Sequence, residues 1–398
     1  MKRLMVGAMA LVFGAVPVMA QSLEDLNIQI HGYATQGFLY SSANNLFTTN
    51  SSNGSPAWTE AVVNVTSQPT PKLRIGVQAR YFLLGNLGNA ITLDWAAADY
   101  KANDRFGVRF GKVKTPSGLF NDVQDIDPSY IWALLPQSIY PLMSRNSLLA
   151  HYGGVVYGTV NLGAKKGKLE YRGWGGERVL ANNDGYLLNE TEGGIALPNG
   201  LAGVTMGAGL HWRTPLAGLL IGASDSKNTQ WNAPIIFTYT VQGIPIPFSG
   251  TETTNKLNSP SFFAKYEKDK WMVAVEHSRL PVSGAIVVPG VVTEPFRLDQ
   301  QTWYGMVSYK VTGKLTAGVY DSQSFDHQIA LGSARYSKDW AINARYDFNQ
   351  FLYAKVEQHF VEGTEIGYDL TLNPPTASLP TGLHPNTRLT VLKIGVSF

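Results

Sequence analysis

The closing stretch Arg388-Leu389-Thr390-Val391-Leu392-Lys393-Ile394-Gly395-Val396-Ser397-Phe398 puts Leu392, Ile394, Val396 and Phe398 on one side of an extended chain and Lys393, Gly395 and Ser397 on the other. A two-residue period of this kind belongs to a β-strand with one apolar and one polar face. Working back from it, the same alternation recurs. Trp340, Ile342, Ala344, Tyr346 and Phe348 oppose Asn343, Arg345 and Asp347, while Val204, Met206, Ala208, Leu210 and Trp212 oppose Thr205, His211 and Arg213. Farther upstream, Phe106, Val108 and Phe110 oppose Arg105 and Arg109, and Leu73, Ile75, Val77, Ala79 and Tyr81 oppose Arg74, Gln78 and Arg80.

Alternation alone also fits a soluble β-sandwich, so the links between strands decide. Short links at 68–72, 101–104, 164–167, 214–218, 267–270, 312–313 and 349–350 take turns with long ones at 41–57, 115–149, 179–201, 227–258, 281–299, 324–338 and 362–386. Short turns at one end and long loops at the other are the asymmetry of outer-membrane barrels. Strands counted on this rule fall at 27–40, 58–67, 72–84, 89–100, 104–114, 150–162, 168–178, 202–213, 218–226, 259–267, 270–280, 300–311, 314–323, 339–348, 351–361 and 387–398. The expected fold is all-β, a transmembrane antiparallel up-and-down β-barrel of 16 strands over 21–398. An even count returns both termini to the short-turn end, and a barrel of this size is wide enough for an aqueous channel.

The start of the chain and its composition point the same way. Lys2 and Arg3 precede an apolar run from Leu4 to Val18 and the small-residue site Val18-Met19-Ala20, so 1–20 reads as a signal peptide. That run is shorter than the roughly 20 residues of a spanning helix. The absence of cysteine removes disulfides, a thiol nucleophile and cysteine-ligated metal. A formal net charge of +3 gives no ground for a nucleic-acid partner. Mean hydropathy of −0.07 with 11% aromatics is too polar for helical spans and suits strands half facing lipid, half facing water.

Three stretches resemble bacterial outer-membrane porins, in particular the broad superfamily that includes the phosphate-selective porins. They are the Phe398-terminated closing strand, the run Arg109-Phe110-Gly111-Lys112-Val113-Lys114-Thr115-Pro116-Ser117-Gly118-Leu119, and the late hairpin from Ser337-Lys338-Asp339-Trp340 through Ala344 to Gln350. The resemblance implies that Phe398 is a signal for the barrel-assembly machinery, that the loop after Lys114 folds inward, and that the protein is a homotrimer. It implies residence in the outer membrane of a Gram-negative bacterium, among its lipid and lipopolysaccharide. No dense basic run matches the arginine ladder and lysine cluster of the phosphate-selective subgroup, so phosphate specificity does not carry over.

With the polar face of each strand taken as inward, the expected pore-lining cations are Arg74, Arg80, Arg105, Arg109, Arg172, Arg213, Lys265, Lys310, Arg345, Lys355 and Lys393. The opposing acids are Glu60, Asp94, Glu170, Glu267, Glu276, Asp347 and Glu357. An excess of Arg and Lys lowers the barrier for anions, although charges paired across adjacent strands set no selectivity. Residues 115–149 are the candidate constriction loop. Its many apolar side chains, Phe120, Ile131, Trp132, Leu134, Leu135 and Tyr140 among them, need a surface to pack on. Inward folding is expected to bring Asp122, Asp125, Asp127 and Arg145 to the passage, with a short helix starting at Asp127-Pro128 where Asp caps the amides. The alternative places the loop over a subunit interface. Tyr40, Tyr81, Trp95, Tyr171, Trp212, Trp271, Trp303, Trp340 and Phe398 are candidates for interfacial aromatic girdles. The loops at 244–248 and 286–292 have no single reading.

Motifs for chemistry are missing. The seven histidines stand singly, without His-x-x-x-His or Glu-x-x-His spacing, and neither Gly-x-Ser-x-Gly nor a phosphate-cradling Gly-x-x-x-x-Gly-Lys-Ser/Thr occurs. No cofactor is implied. The sequence therefore points to a non-enzymatic porin for passive diffusion of small hydrophilic solutes or anions. Two alternatives stay open: a substrate-specific nutrient channel, and a barrel lipase or protease that gathers Ser, His and acid from distant strands. An energised siderophore transporter needs 22 strands and a plug, which this chain does not offer.

Overall fold

Strands whose side chains alternate between oil and water can satisfy every backbone hydrogen bond inside a membrane only by closing on themselves, and this chain does so. The computed structural model describes residues 26–398 other than 183, 193, 243, 366 and 367. The expected signal peptide at 1–20 lies outside the described residues. The strands are β1 (Gln29–Ser41), β2 (Ser55–Thr70), β3 (Leu73–Leu84), β4 (Leu87–Asn103), β5 (Phe106–Lys114), β6 (Ala150–Asn161), β7 (Lys168–Leu180), β8 (Ile195–Ala196), β9 (Leu201–Arg213), β10 (Leu219–Asn228), β11 (Trp231–Val241), β12 (Ile244–Thr254), β13 (Leu257–Lys268), β14 (Trp271–Val288), β15 (Val292–Lys310), β16 (Leu315–Asp326), β17 (Tyr336–Asp347), β18 (Leu352–Gly363) and β19 (Asn386–Ser397). Two short helices, α1 (Arg145–Leu149) and α2 (Gly185–Glu192), lie in long loops.

The barrel is a closed 16-stranded antiparallel sheet, as the alternation predicts. Sixteen of these strands form the wall, each pairing with its neighbour along it; β7 pairs directly with β9, β10 directly with β13, and β1 with β19 to seal it. At that seam Gly32 and Phe398 exchange backbone hydrogen bonds of 3.0 Å each way. A Cβ on Gly32 would stand 2.7 Å from the Phe398 ring, so the missing side chain is what lets the terminal ring lie across the joint. Phe398 itself is 64% exposed on the outside.

β8, β11 and β12 are not part of the closure. The β11–β12 hairpin pairs laterally with the upper part of β14, and β8 pairs with β11. Together with the far ends of β14 and β15 they raise one side of the sheet above the rest of the wall. Two links expected as loops are corrected here. The span 227–258 contains this hairpin, and 281–299 is strand on both sides of a tight turn between Val288 and Val292.

Side-chain direction follows parity. On β19 Leu392, Ile394 and Val396 are exposed outward, whereas Leu389, Val391 and Lys393 are buried inward. Tyr40, Trp212, Trp271, Trp303, Trp340 and Phe398 are exposed, and Tyr81 and Tyr171 half-buried. Trp95 is the exception, because β3 and β4 slip register between Gln78 and Ala79. Gln78 faces Trp95 and Ala79 faces Leu93, leaving Asp94 as the extra residue of a β-bulge. A bulge re-aims side chains, and both Asp94 and Trp95 enter the lumen.

Candidate functional site

The loop from Thr115 to Leu149 lies inside the barrel. Its apolar side chains find a matching wall on β14–β17, where Ala274, Tyr304, Met306, Tyr320 and Ala341 point inward and pack with Phe120, Trp132, Leu135 and Tyr140. Trp132 is fully buried and meets Tyr320 edge to face at 5.0 Å. Above it, Leu134 joins a second cluster with Leu39, Phe47, Trp58, Phe82, Tyr368 and Leu389.

Buried charges fix the loop to that wall. Glu357 of β18 accepts the N–H groups of Ala133 (2.6 Å) and Leu134 (3.0 Å). Glu276 of β14 accepts Leu119 N–H (3.2 Å) and the hydroxyls of Tyr140 (2.6 Å) and Tyr304 (2.8 Å). Arg345 donates to the carbonyls of Pro128 (2.6 Å) and Tyr130 (3.0 Å). Lys355 and Lys393 converge on Asp127 at 2.9 and 2.5 Å, and Tyr353 adds its hydroxyl at 2.7 Å. Hydrogen bonds to ionised groups are about twice as strong as neutral ones, and here several act on one loop.

Expected residues therefore divide. Arg345, Lys355, Lys393 and Glu357 face inward, as parity requires, but hold the loop rather than meet open lumen. Asp127 is corrected likewise. It sits in a 3-10 turn at Asp127–Ser129 with no side-chain cap, its carboxylate taken by the two lysines. Arg145 grips Asp94 through two bonds of 2.8 and 2.9 Å, and Arg80 pairs with Glu60 at 2.6 Å, all four buried. Arg105 stands exposed in the turn before β5 instead of on a strand. Toward the short-turn end, Arg213 pairs with Glu170, Lys265 with Glu267 (2.8 Å) and Asp347 with Arg345 (2.9 Å), while Lys310 is exposed at the end of β15.

With the loop pressed to β14–β19, a cavity of about 710 Å³ stays open along β1–β7. Arg74, Arg109, Lys114 and Arg172 line it together with Asp99, Asp122 and Asp125. Arg109 pairs with Asp99 (2.8 Å), Lys114 with Asp125 (2.7 Å) and Arg172 with Asp122 (2.5 Å). Arg74 makes no ion pair among the described residues, so one cation is left over. Trp95, Tyr157 and His31 are also in the lining, and Trp95 donates to Asp125 at 3.3 Å.

Asp99 and Trp95 escape a parity reading because of the bulge at Asp94. Upstream of it Asp94 is inward; downstream the inward set becomes Trp95, Ala97 and Asp99, one residue out of phase. Lys114 was visible at the loop's root, but its strand ends there and parity with it.

Among the described residues no group of three or more His, Cys, Asp or Glu is placed to hold a metal ion. His359 has Asp339 on one ring nitrogen (3.0 Å) and Glu357 on the other (3.1 Å), which fastens the ring to β17 and β18.

A 16-stranded transmembrane barrel with a loop folded onto its inner wall and a charged cavity beside it is a porin-like fold. Solved structures share it at low sequence identity. OmpF of Salmonella typhi, in complex with daunomycin, aligns over 95% of this chain and 99% of its own with TM-score 0.57 and 13% identity. The trimer form of OmpT, an outer-membrane protein of Vibrio cholerae, aligns over 93% and 99% with TM-score 0.52 and 11% identity. An anion-selective porin from Comamonas acidovorans aligns over 93% and 99% with TM-score 0.50 and 9% identity. No family model and no curated protein matches the sequence.

Proposed function

We propose that this protein is a non-enzymatic channel of the Gram-negative outer membrane, passing small hydrophilic solutes by diffusion with a mild preference for anions. The observation that carries this reading is the anchored loop, which fills one side of the lumen and leaves the charged cavity along β1–β7 on the other. Three of its four cations are matched by acids, so the preference rests on Arg74, the unmatched one. Barrel-assembly machinery, lipid and lipopolysaccharide are the partners this setting supplies, and a homotrimer is in keeping with the trimer form of the Vibrio cholerae neighbour.

Planar-bilayer recording with purified protein tests the proposal. Discrete conductance steps are expected, with a reversal potential in asymmetric KCl on the anion side, and Arg74→Glu shifts it toward cations. Liposome swelling by uncharged sugars should fall smoothly with solute size. Absence of steps sinks the channel, and a cation-side reversal potential in the unmodified protein sinks the anion preference.

A further inference from the structure

The two ends of the barrel carry opposite charge. The seven short links, 71–72, 104–105, 162–167, 214–218, 269–270, 311–314 and 348–351, hold six Lys or Arg and two Asp. The strand residues that border them add Lys168, Arg213, Lys268 and Lys310 against Asp347, and Phe398 adds its terminal carboxylate. Ten cations thus face four acids, and all ten are exposed. Two of the acids are already matched by cations outside this count, Asp104 by Lys101 (2.7 Å) and Asp347 by Arg345 (2.9 Å). Of the ten, Arg213 alone forms an ion pair among the described residues, with Glu170.

The long-loop end reverses the balance. Its connections other than the inward loop, 42–54, 85–86, 181–200, 229–256, 289–291, 327–335 and 364–385, hold six acids and only Lys256 and Arg335 as cations. Asp326, which ends β16, is a seventh acid and the one charged residue bordering these connections. Between the two mouths the cavity along β1–β7 is nearly neutral, because Arg109, Lys114 and Arg172 each have an acid.

We propose that the protein is an ionic rectifier, whose current at low salt is larger when the long-loop side is positive. The inference rests on the diffusion-channel reading above. A mouth lined by one sign of charge concentrates the opposite ion, so the acidic end admits cations and the basic end admits anions. With the long-loop side positive, cations are driven in through the first and anions in through the second, and both accumulate in the passage. The opposite polarity draws each out through the mouth that favours it, while the other mouth excludes its replacement, and the passage is depleted. Sixteen strands about 4.8 Å apart and tilted by about 35–45° give a barrel radius of about 15–17 Å. The Debye length is about 30 Å in 0.01 M salt and about 3 Å in 1 M, so rim charge governs the mouth in the first and is screened from it in the second.

Single-channel recording of the full chain in a bilayer of zwitterionic lipid tests this at both salt concentrations. A pH of 8 keeps Glu252 ionised, since burial and then Glu190 raise its carboxyl to about 7. The chain has no cysteine, so Ala164→Cys in a short link reports orientation. A thiol-reactive polyethylene glycol too large for the pore alters the current only from the chamber those links face. In 0.01 M KCl the current is expected to be at least about 1.5-fold larger with the long-loop chamber positive, and in 1 M KCl equal at both polarities. Lys72→Glu, Lys165→Glu and Lys166→Glu together leave seven cations (ten less three) and seven acids (four plus three) at the short-turn end. The low-salt excess should then fall by at least about half, while unchanged conductance in 1 M KCl shows that the variant is folded. If it does not insert, the salt dependence of the unmodified protein carries the test. Conductance steps with equal currents at both polarities in 0.01 M KCl, a larger current at the opposite polarity, or a triple variant that keeps the full excess overturns the rectifier and leaves the channel standing. Absence of steps overturns both.

Discussion

Asp127 faces two lysines with one carboxylate, and all three side chains are buried. Burial alone would raise its carboxyl, but Lys355 and Lys393 outweigh that and hold it well below the usual carboxylate range. A group depressed in the folded state contributes stability that is complete above its unfolded value, near 4, and is lost only as pH falls through the folded one. The contact therefore persists from pH 7 to about pH 4, and conductance changes in that window arise elsewhere. Asp127→Asn leaves two ammonium groups buried without a counter-charge, a loss of about 3–5 kcal/mol for a pair broken on one side. The expected outcome is a loosened loop, seen as higher single-channel conductance and more open-channel noise; unchanged traces would show that the apolar contacts alone hold it. The sequence places Lys355 and Lys393 on the inner face by alternation. It does not show depth, because whether an inward cation ends in water or under a loop depends on contacts more than two hundred residues away.

At the scale of elements, one glycine makes room for the constriction loop. A Cβ on Gly318 of β16 would stand 2.8 Å from both Ile131 and the Trp132 ring, closer than packed atoms allow. Gly318→Val is therefore expected to push the loop off its wall at about 1–3 kcal/mol, raising or destabilising conductance without changing any lumen charge. Gly313→Val is the control, since nothing lies within 4 Å of a Cβ there; equal behaviour of the two variants rejects the packing argument. Strands were legible wherever alternation was unbroken, and the apolar run 119–140 announced a loop that must be buried. What alternation missed it missed for local reasons. The bulge at Asp94 reverses phase in mid-strand, and Pro234, Pro245 and Pro247 break up the signal of β11 and β12, because proline cannot donate to a ladder and is tolerated only where its N–H is not needed. The apolar inner residues Ala274, Met306 and Ala341, which receive the loop, look out of place in a strand read as water-facing on that side. They are the signal that the lumen is not all water.

For the molecule as a whole, closure and the raised sheet are separable. The wall passes from β10 straight to β13, whose pairing runs from Leu219 opposite Tyr266 up to Asn228 opposite Leu257. Everything between those last two residues belongs to the β11–β12 hairpin and its connections. Opposed residues on antiparallel strands sit about 4.5–5.5 Å apart, a gap that a two-residue Asn-Gly turn closes with the right twist. Replacing 229–256 by Asn-Gly should then leave a barrel that still migrates as a folded, heat-modifiable species in unboiled gels. The hairpin's inner face, however, buries Trp231, Ala233 and Ile235 against Leu187 of α2, Leu197 and Leu201. Removing it uncovers those leucines, so limited proteolysis should begin to cut within 181–200 while the wall stays intact. If the shortened chain does not fold at all, β11 and β12 take part in closing the barrel and the division between wall and extension is wrong.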